Sequence, residues 1–277
     1  MLNDLDKPRV LYVILASDDP TNELDLSMQR KTWLKTISGD SRVVILRGHD
    51  KSSFVFDGET LRVPVPESYQ NILEKTILGF SWILKNIDFD LLIRTNVSTY
   101  YDTGRVKDVL RRFNLDSTQI GGFIELSSYG STDDLNGEAF VTGTGIYLTR
   151  SSVLELVSMD VDQFGGAPED LSISRYLTGK GARMISLPRV NLHSTHFLVP
   201  GFQTRLKSSE ISELASLRFQ SLFSFYTEST FSRKALAFAS SIKLEVSHLH
   251  FDFFHLKFYL LRNYYIFRLN LNRLMGK

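Results

Sequence analysis

The segment Asp90-Leu-Leu-Ile-Arg-Thr-Asn-Val-Ser-Thr-Tyr-Tyr-Asp102 starts as an apolar run and stops at a cluster of small polar side chains. The run reads as a buried strand that delivers Arg94, Thr95, Asn96 and Ser98 to its carboxyl end, the end at which open α/β sheets bind ligands. Hydrogen bonding is the chemistry this group offers. A second group, Pro168-Glu169-Asp170, has the form of a helix entry, with proline at the opening and carboxylates in the turn where the helix dipole favours them. Asp88-Phe89-Asp90 has the Asp-x-Asp spacing that suits a hard cation. It precedes the apolar run, however, and so belongs at the end of the strand away from the ligand crevice. Asp133 and Asp134 fall in a polar loop and read as solvated.

Alternating elements must position these groups. Residues 9–16 are β-branched and aromatic and end in Ser17-Asp18-Asp19-Pro20, a strand followed by a polar breaker. A helix is expected over residues 25–37, with strands over 42–46 and 61–65. Ser68 can cap a helix through Asn71, Leu73, Lys75, Ile77, Phe80, Trp82 and Leu84, whose apolar positions keep three-and-four spacing. After the quoted strand come a helix over 103–113, strands near 119–125 and 140–148 around a polar loop, a helix from Ser151, and the helix opened by Pro168. Such alternation predicts an α/β fold with a mostly parallel sheet covered by helices.

The chain has 277 residues, 43% of them hydrophobic, and a formal net charge of +1. That is ample for a large core, and it supplies no global field that would draw nucleic acid. Cysteine is absent, which excludes disulfides, Cys-bound zinc and thiol catalysis and suits a reducing compartment. The apolar run near the start is too short for a membrane span and poor as a signal peptide. Asn96-Val97-Ser98 also spells a glycosylation acceptor, and a glycan there would obstruct the crevice. A cytoplasmic location is expected. From residue 208 the composition shifts to aromatic helices, and residues 253–277 carry Lys257, Arg262, Arg268, Arg273 and Lys277 with no acidic residue. This tail suits packing on the main domain, binding to a partner, or lying on the inner face of a membrane.

Four segments, in order, resemble the glycosyltransferase superfamily of β-1,3-galactosyltransferases and fringe. Gln29-Arg-Lys-Thr-Trp-Leu34 is similar to that family's Arg-x-x-Trp element. Glu67-Ser-Tyr-Gln-Asn-Ile-Leu-Glu-Lys-Thr-Ile-Leu-Gly-Phe-Ser-Trp82 is similar to its Asp-Ser-Tyr-x-Asn-Leu-Thr-x-Lys-Thr helix, the most specific match. Thr142-Gly-Thr-Gly-Ile-Tyr-Leu-Thr-Arg150 looks like its Ser-Gly-x-Gly-Tyr-x-Leu-Ser segment, and Glu169-Asp170-Leu-Ser-Ile like its Glu-Asp-Val element. The resemblance implies a GT-A-like, Rossmann-like domain over residues 1–207, with a helical extension over 208–277. It also implies inverting transfer of a sugar from a nucleotide sugar, usually a UDP-sugar, to an acceptor hydroxyl, here expected on a glycan, or on a lipid-linked glycan if the basic tail lies on the membrane. Galactose and a β-1,3 linkage are the family's suggestion, in surface polysaccharide synthesis.

By the same resemblance Asp170 is the general base, with Glu169 orienting the acceptor or supporting Asp170. Ser17 and Asp18 would bind base and ribose, although Asp-Asp-Pro is equally an ordinary turn. Arg30 and Lys75 would reach phosphate, or else lie on solvated helix faces. Gly143 and Gly145 allow close approach of a sugar, or tight packing. His193 and His196 stand where the family often supplies a metal-binding histidine, and here they would bind the donor or serve the structure instead. The family ends the quoted strand in three acids that hold a divalent cation, and here Asn96, Val97 and Ser98 replace them. No metal is therefore expected as cofactor, manganese being the disfavoured alternative. Arg30, Arg94 and the segment around Arg205 are expected to meet the charge on the leaving diphosphate. A non-catalytic sugar-nucleotide binder is the competing reading.

Overall fold

The computed structural model describes residues 9–31, 33–37, 39, 41–101, 103–127, 137–164, 166–187, 189–191 and 203–205, which all belong to one compact unit. Asp133, Asp134, His193, His196 and residues 208–277 lie outside them, and of Arg205 only the backbone is described.

Strand β1 (Val10–Leu15) is buried along its whole length, as an unbroken apolar run must be in the middle of a parallel sheet covered on both faces. β2 (Arg42–Gly48) and β5 (Leu91–Asn96) flank it in parallel, and β4 (Thr60–Val63) runs parallel to β2. β3 (Val55–Phe56) is antiparallel to β4 at one edge. On the other side β10 (Gly145–Thr149) runs antiparallel to both β5 and β7 (Gln119–Gly122), and β11 (Arg183–Ser186) is parallel to β7. The eight-stranded order is β11-β7-β10-β5-β1-β2-β4-β3, the mostly parallel α/β sheet that the alternating pattern predicts. From β1 the chain moves outward to β2 and β4, then returns to β5 on the far side of β1. That reversal opens a crevice at the carboxyl ends of β1 and β5.

Leu11, Val13 and Leu15 of β1 join a core cluster with Leu73, Ile77, Phe80 and Ile83 of helix α2 (Ile72–Asn86), Val153 and Leu156 of α4 (Arg150–Leu156), and Ile173 and Leu177 of α5 (Glu169–Gly179). Tyr12, alternating with them, points to the other face. There it meets Trp33 and Tyr101 in edge-on and tilted contacts, with ring centroids 5.1 to 5.8 Å apart. α1 (Pro20–Lys31) and α3 (Thr103–Leu110) contribute buried Leu26 and Val106. Two small sheets complete the architecture. β6 (Thr99–Tyr101) pairs with β13 (Gln203–Arg205), which pairs with β12 (Val190–Asn191), and β8 (Ile124–Leu126) pairs with β9 (Ala139–Val141). No helix among the described residues is long and apolar enough to cross a membrane.

Several expected boundaries move. α1 begins at Pro20 rather than near residue 25, because Asp19 Oδ1 accepts the Thr21 N–H at 2.7 Å and proline has no N–H to leave unpaired. It stops at Lys31, and Leu34–Thr36 form a 3-10 turn. Ser68 Oγ accepts the Asn71 N–H at 3.1 Å, closing a turn ahead of α2, which starts at Ile72. The strands expected over 119–125 and 140–148 each divide in two, at Phe123 and at residues 142–144.

Asp25 of α1 is fully buried, and neither carboxylate oxygen has a hydrogen-bond partner among the described residues. Burial pushes its carboxyl up from 3.8 to about 6. With the folded value above the unfolded one, the cost of burying the charge is absent below the unfolded pKa, grows between the two and is complete above the folded one. Asp25→Asn is expected to stabilise the fold by about 2 kcal/mol at pH 8, with most of that gain gone at pH 4, as read by urea unfolding at both pH values.

Candidate active site

Two cavities open at the carboxyl ends of the central strands and share Tyr69, Ile72, Arg94 and Asn96 in their walls. The larger, about 840 Å³, follows β1 and β2 and is bounded by Ser17, Asp18, His49, Glu67 and Lys75. The smaller, about 520 Å³, lies between the start of α2, the turn at residues 142–144 and the start of α5, with Asp170 in its wall. Both volumes suit small polar ligands.

The turn at residues 142–144 is the hub of the site. The Gly143 N–H donates to Asp170 Oδ2 at 2.7 Å, and the Leu171 N–H donates to Asp170 Oδ1 at 3.0 Å, so both oxygens of this carboxylate are held. The Gly143 carbonyl accepts from Arg94 Nη1, and from Asn96 Nδ2 at 3.4 Å. Arg94 in turn donates from Nε to Glu169 Oε1 at 3.0 Å and from Nη2 to Glu169 Oε2, while Thr76 Oγ1 donates to Glu169 Oε1 at 3.1 Å. β5, the turn and α5 thus form a closed ring of hydrogen bonds. Burial pushes the Glu169 carboxyl up, opposed by the Arg94 guanidinium. A Cβ on Gly143 would lie 2.8 Å from Arg94 Nη1 and 3.2 Å from Asp170 Oδ2. A side chain at this position would push on the two groups that the turn holds.

Of the residues singled out in the sequence, Arg94 and Asn96 line both cavities, Gly143, Glu169 and Asp170 line the smaller, and Ser17, Asp18 and Lys75 the larger. Four others are not brought into either wall. Arg30 points outward and donates to Glu59 Oε2 at 2.9 Å on the exposed surface. Thr95 is fully buried and donates its hydroxyl to the Thr144 carbonyl at 3.0 Å. Ser98 Oγ donates to Asn96 Oδ1 at 2.8 Å. Gly145 lies under Gln203 and Tyr101, where a Cβ would stand 2.5 Å from Gln203 Nε2, so its role is packing. Arg205 enters through its backbone, paired with Thr99, and His193 and His196 lie outside the described residues.

Lys75 is no solvated helix lysine. It is buried, and its Nζ donates to Glu67 Oε2 at 2.8 Å, to Glu67 Oε1 at 3.1 Å and to the Ala16 carbonyl at 3.3 Å. Glu67 also accepts the Gly48 N–H, which ties the end of β2 to α2. The Arg62 guanidinium, helped by Arg47, holds the Asp18 carboxyl down at about 2, so this half-exposed acceptor faces the larger cavity in one fixed orientation. Gln29 has a role the sequence reading missed. Its Nε2 donates to the carbonyls of Asn96, Val97 and Thr99 at 3.2, 2.8 and 2.8 Å, fastening the bend after β5.

A divalent cation, which the family resemblance implies, does not fit the residues present at the end of β5. Asn96 Oδ1 accepts from both Ser98 Oγ and Thr99 Oγ1 at 2.8 Å, Val97 offers nothing, and the Asn96 group directed to the Gly143 carbonyl is the donor Nδ2. Among the described residues no group of three or more His, Asp or Glu side chains could hold a metal. The expectation that Arg30 and Arg94 stand ready for an anion also needs correction. Arg30 lies away from both cavities, and Arg94, like Lys75, is neutralised by a carboxylate.

No family model matches the sequence. The UDP-GalNAc:β-1,3-N-acetylgalactosaminyltransferase 2 of Danio rerio is 25% identical over 151 residues, covering 50% of this chain and 31% of that protein. The chain thus spans less than a third of that relative's length. Among solved structures, the galactosyltransferase LgtC in complex with donor and acceptor sugar analogues is 12% identical with a TM-score of 0.46, covering 81% of this chain and 99% of that one. A glycosyltransferase involved in glycosylation of the major capsid of PBCV-1 is 7% identical with a TM-score of 0.47, covering 76% of this chain and 97% of that one. The chain resembles the β-1,3-galactosyltransferase and fringe glycosyltransferases. Of the residues carrying that resemblance, Lys75 lines the larger cavity and Gly143, Glu169 and Asp170 the smaller.

Proposed function

We propose that the protein is an inverting glycosyltransferase that moves a galacto-configured hexose from a UDP-sugar to the hydroxyl of a glycan acceptor. The observation that carries this reading is the Asp170 carboxylate, held by two backbone N–H groups in the wall of a cavity that adjoins the switch-point crevice through Arg94 and Asn96. The donor takes the larger cavity, with Asp18 accepting from its nucleoside, and the acceptor takes the smaller. Asp170 removes the acceptor hydroxyl proton as that oxygen attacks the anomeric carbon from the face opposite the diphosphate. The anomeric carbon–oxygen bond breaks, and its electron pair leaves with UDP. Asn96 Nδ2 is a donor available to the departing phosphate oxygens, and Arg205, whose backbone pairs with Thr99 just beyond the β5 bend, is the cation we assign to them. The β-1,3 linkage follows the family resemblance, and the role we assign is in surface polysaccharide synthesis.

The reaction proceeds without a divalent metal in this reading, supported by the donor character of Asn96 and the committed Oδ1. A thermal-shift panel of nucleotide sugars, followed by UDP release with neutral hexosides, tests the function. A UDP-hexose should raise the melting temperature, and turnover should persist in excess EDTA. Activity abolished by EDTA and restored by manganese would overturn the metal-free reading, and UDP-sugar binding with no turnover would favour a non-catalytic binder.

A further inference from the structure

We propose that Glu125 receives a hydroxyl of the acceptor sugar, and that Arg189 is a positioning residue tying that contact to the turn that aims Asp170. This rests on the glycosyl-transfer reading above. The β8–β9 hairpin carries Glu125 into the wall of the smaller cavity, with its side chain 46% exposed. Its Oε1 accepts from Arg189 Nη2 at 2.8 Å, and Oε2 has no hydrogen-bond partner among the described residues. Arg189, between β11 and β12, has a side chain only 3% exposed and lies 4.1 Å over the Phe123 ring centroid. From its Nη1 it donates to Thr142 Oγ1 at 2.9 Å and to Thr144 Oγ1 at 3.0 Å. Those threonines flank Gly143, whose N–H holds Asp170.

One planar guanidinium therefore spans from a half-exposed carboxylate in the cavity wall to both shoulders of the turn that fixes the base. A lysine has no fork to bridge the same three oxygens. Glu125 can accept from a sugar hydroxyl through Oε2 while Arg189 holds Oε1, so the acceptor is recognised at a point mechanically joined to Asp170. Glu125, Arg189, Thr142 and Thr144 do not line the larger cavity.

The test uses the full chain with a panel of UDP-hexoses and p-nitrophenyl hexosides, measured by UDP release, with donor binding measured separately by thermal shift. Glu125→Gln is expected to raise the acceptor KM about tenfold with the donor KM unchanged. Arg189→Lys should lower kcat about tenfold and raise the acceptor KM as well. Because loss of a buried arginine can also harm folding, Thr142→Val removes one of the two threonine contacts from the other end and should lower kcat without moving the donor KM. A merely structural role for Arg189 would lower the melting temperature and move donor and acceptor parameters together. Transfer by all three variants with unchanged acceptor KM and kcat would overturn this inference alone, whereas a wild-type chain that binds no UDP-sugar would overturn the glycosyl-transfer reading and this inference with it.

Discussion

Asp170→Asn is expected to lower kcat for sugar transfer about 10²–10⁴-fold, the usual worth of a positioned general base, while the affinity for the UDP-sugar stays nearly unchanged. The separation follows from geometry. Asp170 faces the smaller cavity, and the larger one, where the donor is placed, does not include it. Asparagine retains an oxygen for the Gly143 N–H, so the turn is kept and the basic function is lost. UDP release for kcat and calorimetric titration of the donor check both halves, and preserved turnover would remove Asp170 from the mechanism.

Arg94→Met is expected to destabilise the fold by about 3–5 kcal/mol, because it strands the buried Glu169 carboxylate without its partner. It also withdraws a donor from the Gly143 carbonyl, so activity should fall with stability. Adding Glu169→Gln should recover a large part of the loss, since the charge is then gone from both sides of the ring. Urea unfolding of the two single variants and the double variant reads the coupling directly. A cost for Arg94→Met below about 1 kcal/mol, the range of an exposed pair, would mean that Arg94 is not the strut described.

The sheet was legible because a parallel strand buried on both faces has a plain apolar signature: β1, β2 and β5 are read from their runs alone. Helix starts were less so. Asp19-Pro20 and Ser68 can each close a turn or open a helix: Asp19 accepts the Thr21 N–H at the start of α1, whereas Ser68 accepts the Asn71 N–H in a turn ahead of α2. Arg30 carries the charge that suits phosphate, yet helical phase decides which side chain of α1 turns inward. Asp25, Leu26, Gln29 and, beyond the helix end, Trp33 lie on the buried side, and three-and-four spacing turns Gln29 inward and Arg30 out. The partners of Arg94, Lys75 and Arg189 were of another kind. Arg94 and Glu169 are 75 residues apart, and no local pattern reveals that a cation expected to meet phosphate is already neutralised. The replacement of the three acids by Asn96, Val97 and Ser98 was visible in the sequence, whereas the capture of Asn96 Oδ1 by Ser98 and Thr99 needed the bend that Gln29 fastens.

The anomeric configuration of the product is the most direct measurement of the central claim. Proton NMR of the reaction between α-linked UDP-galactose and a neutral hexoside in EDTA should show a β-linked product with the wild-type chain and none with Asp170→Asn. An α-linked product, or one formed undiminished by Asp170→Asn, would contradict inverting transfer by that base.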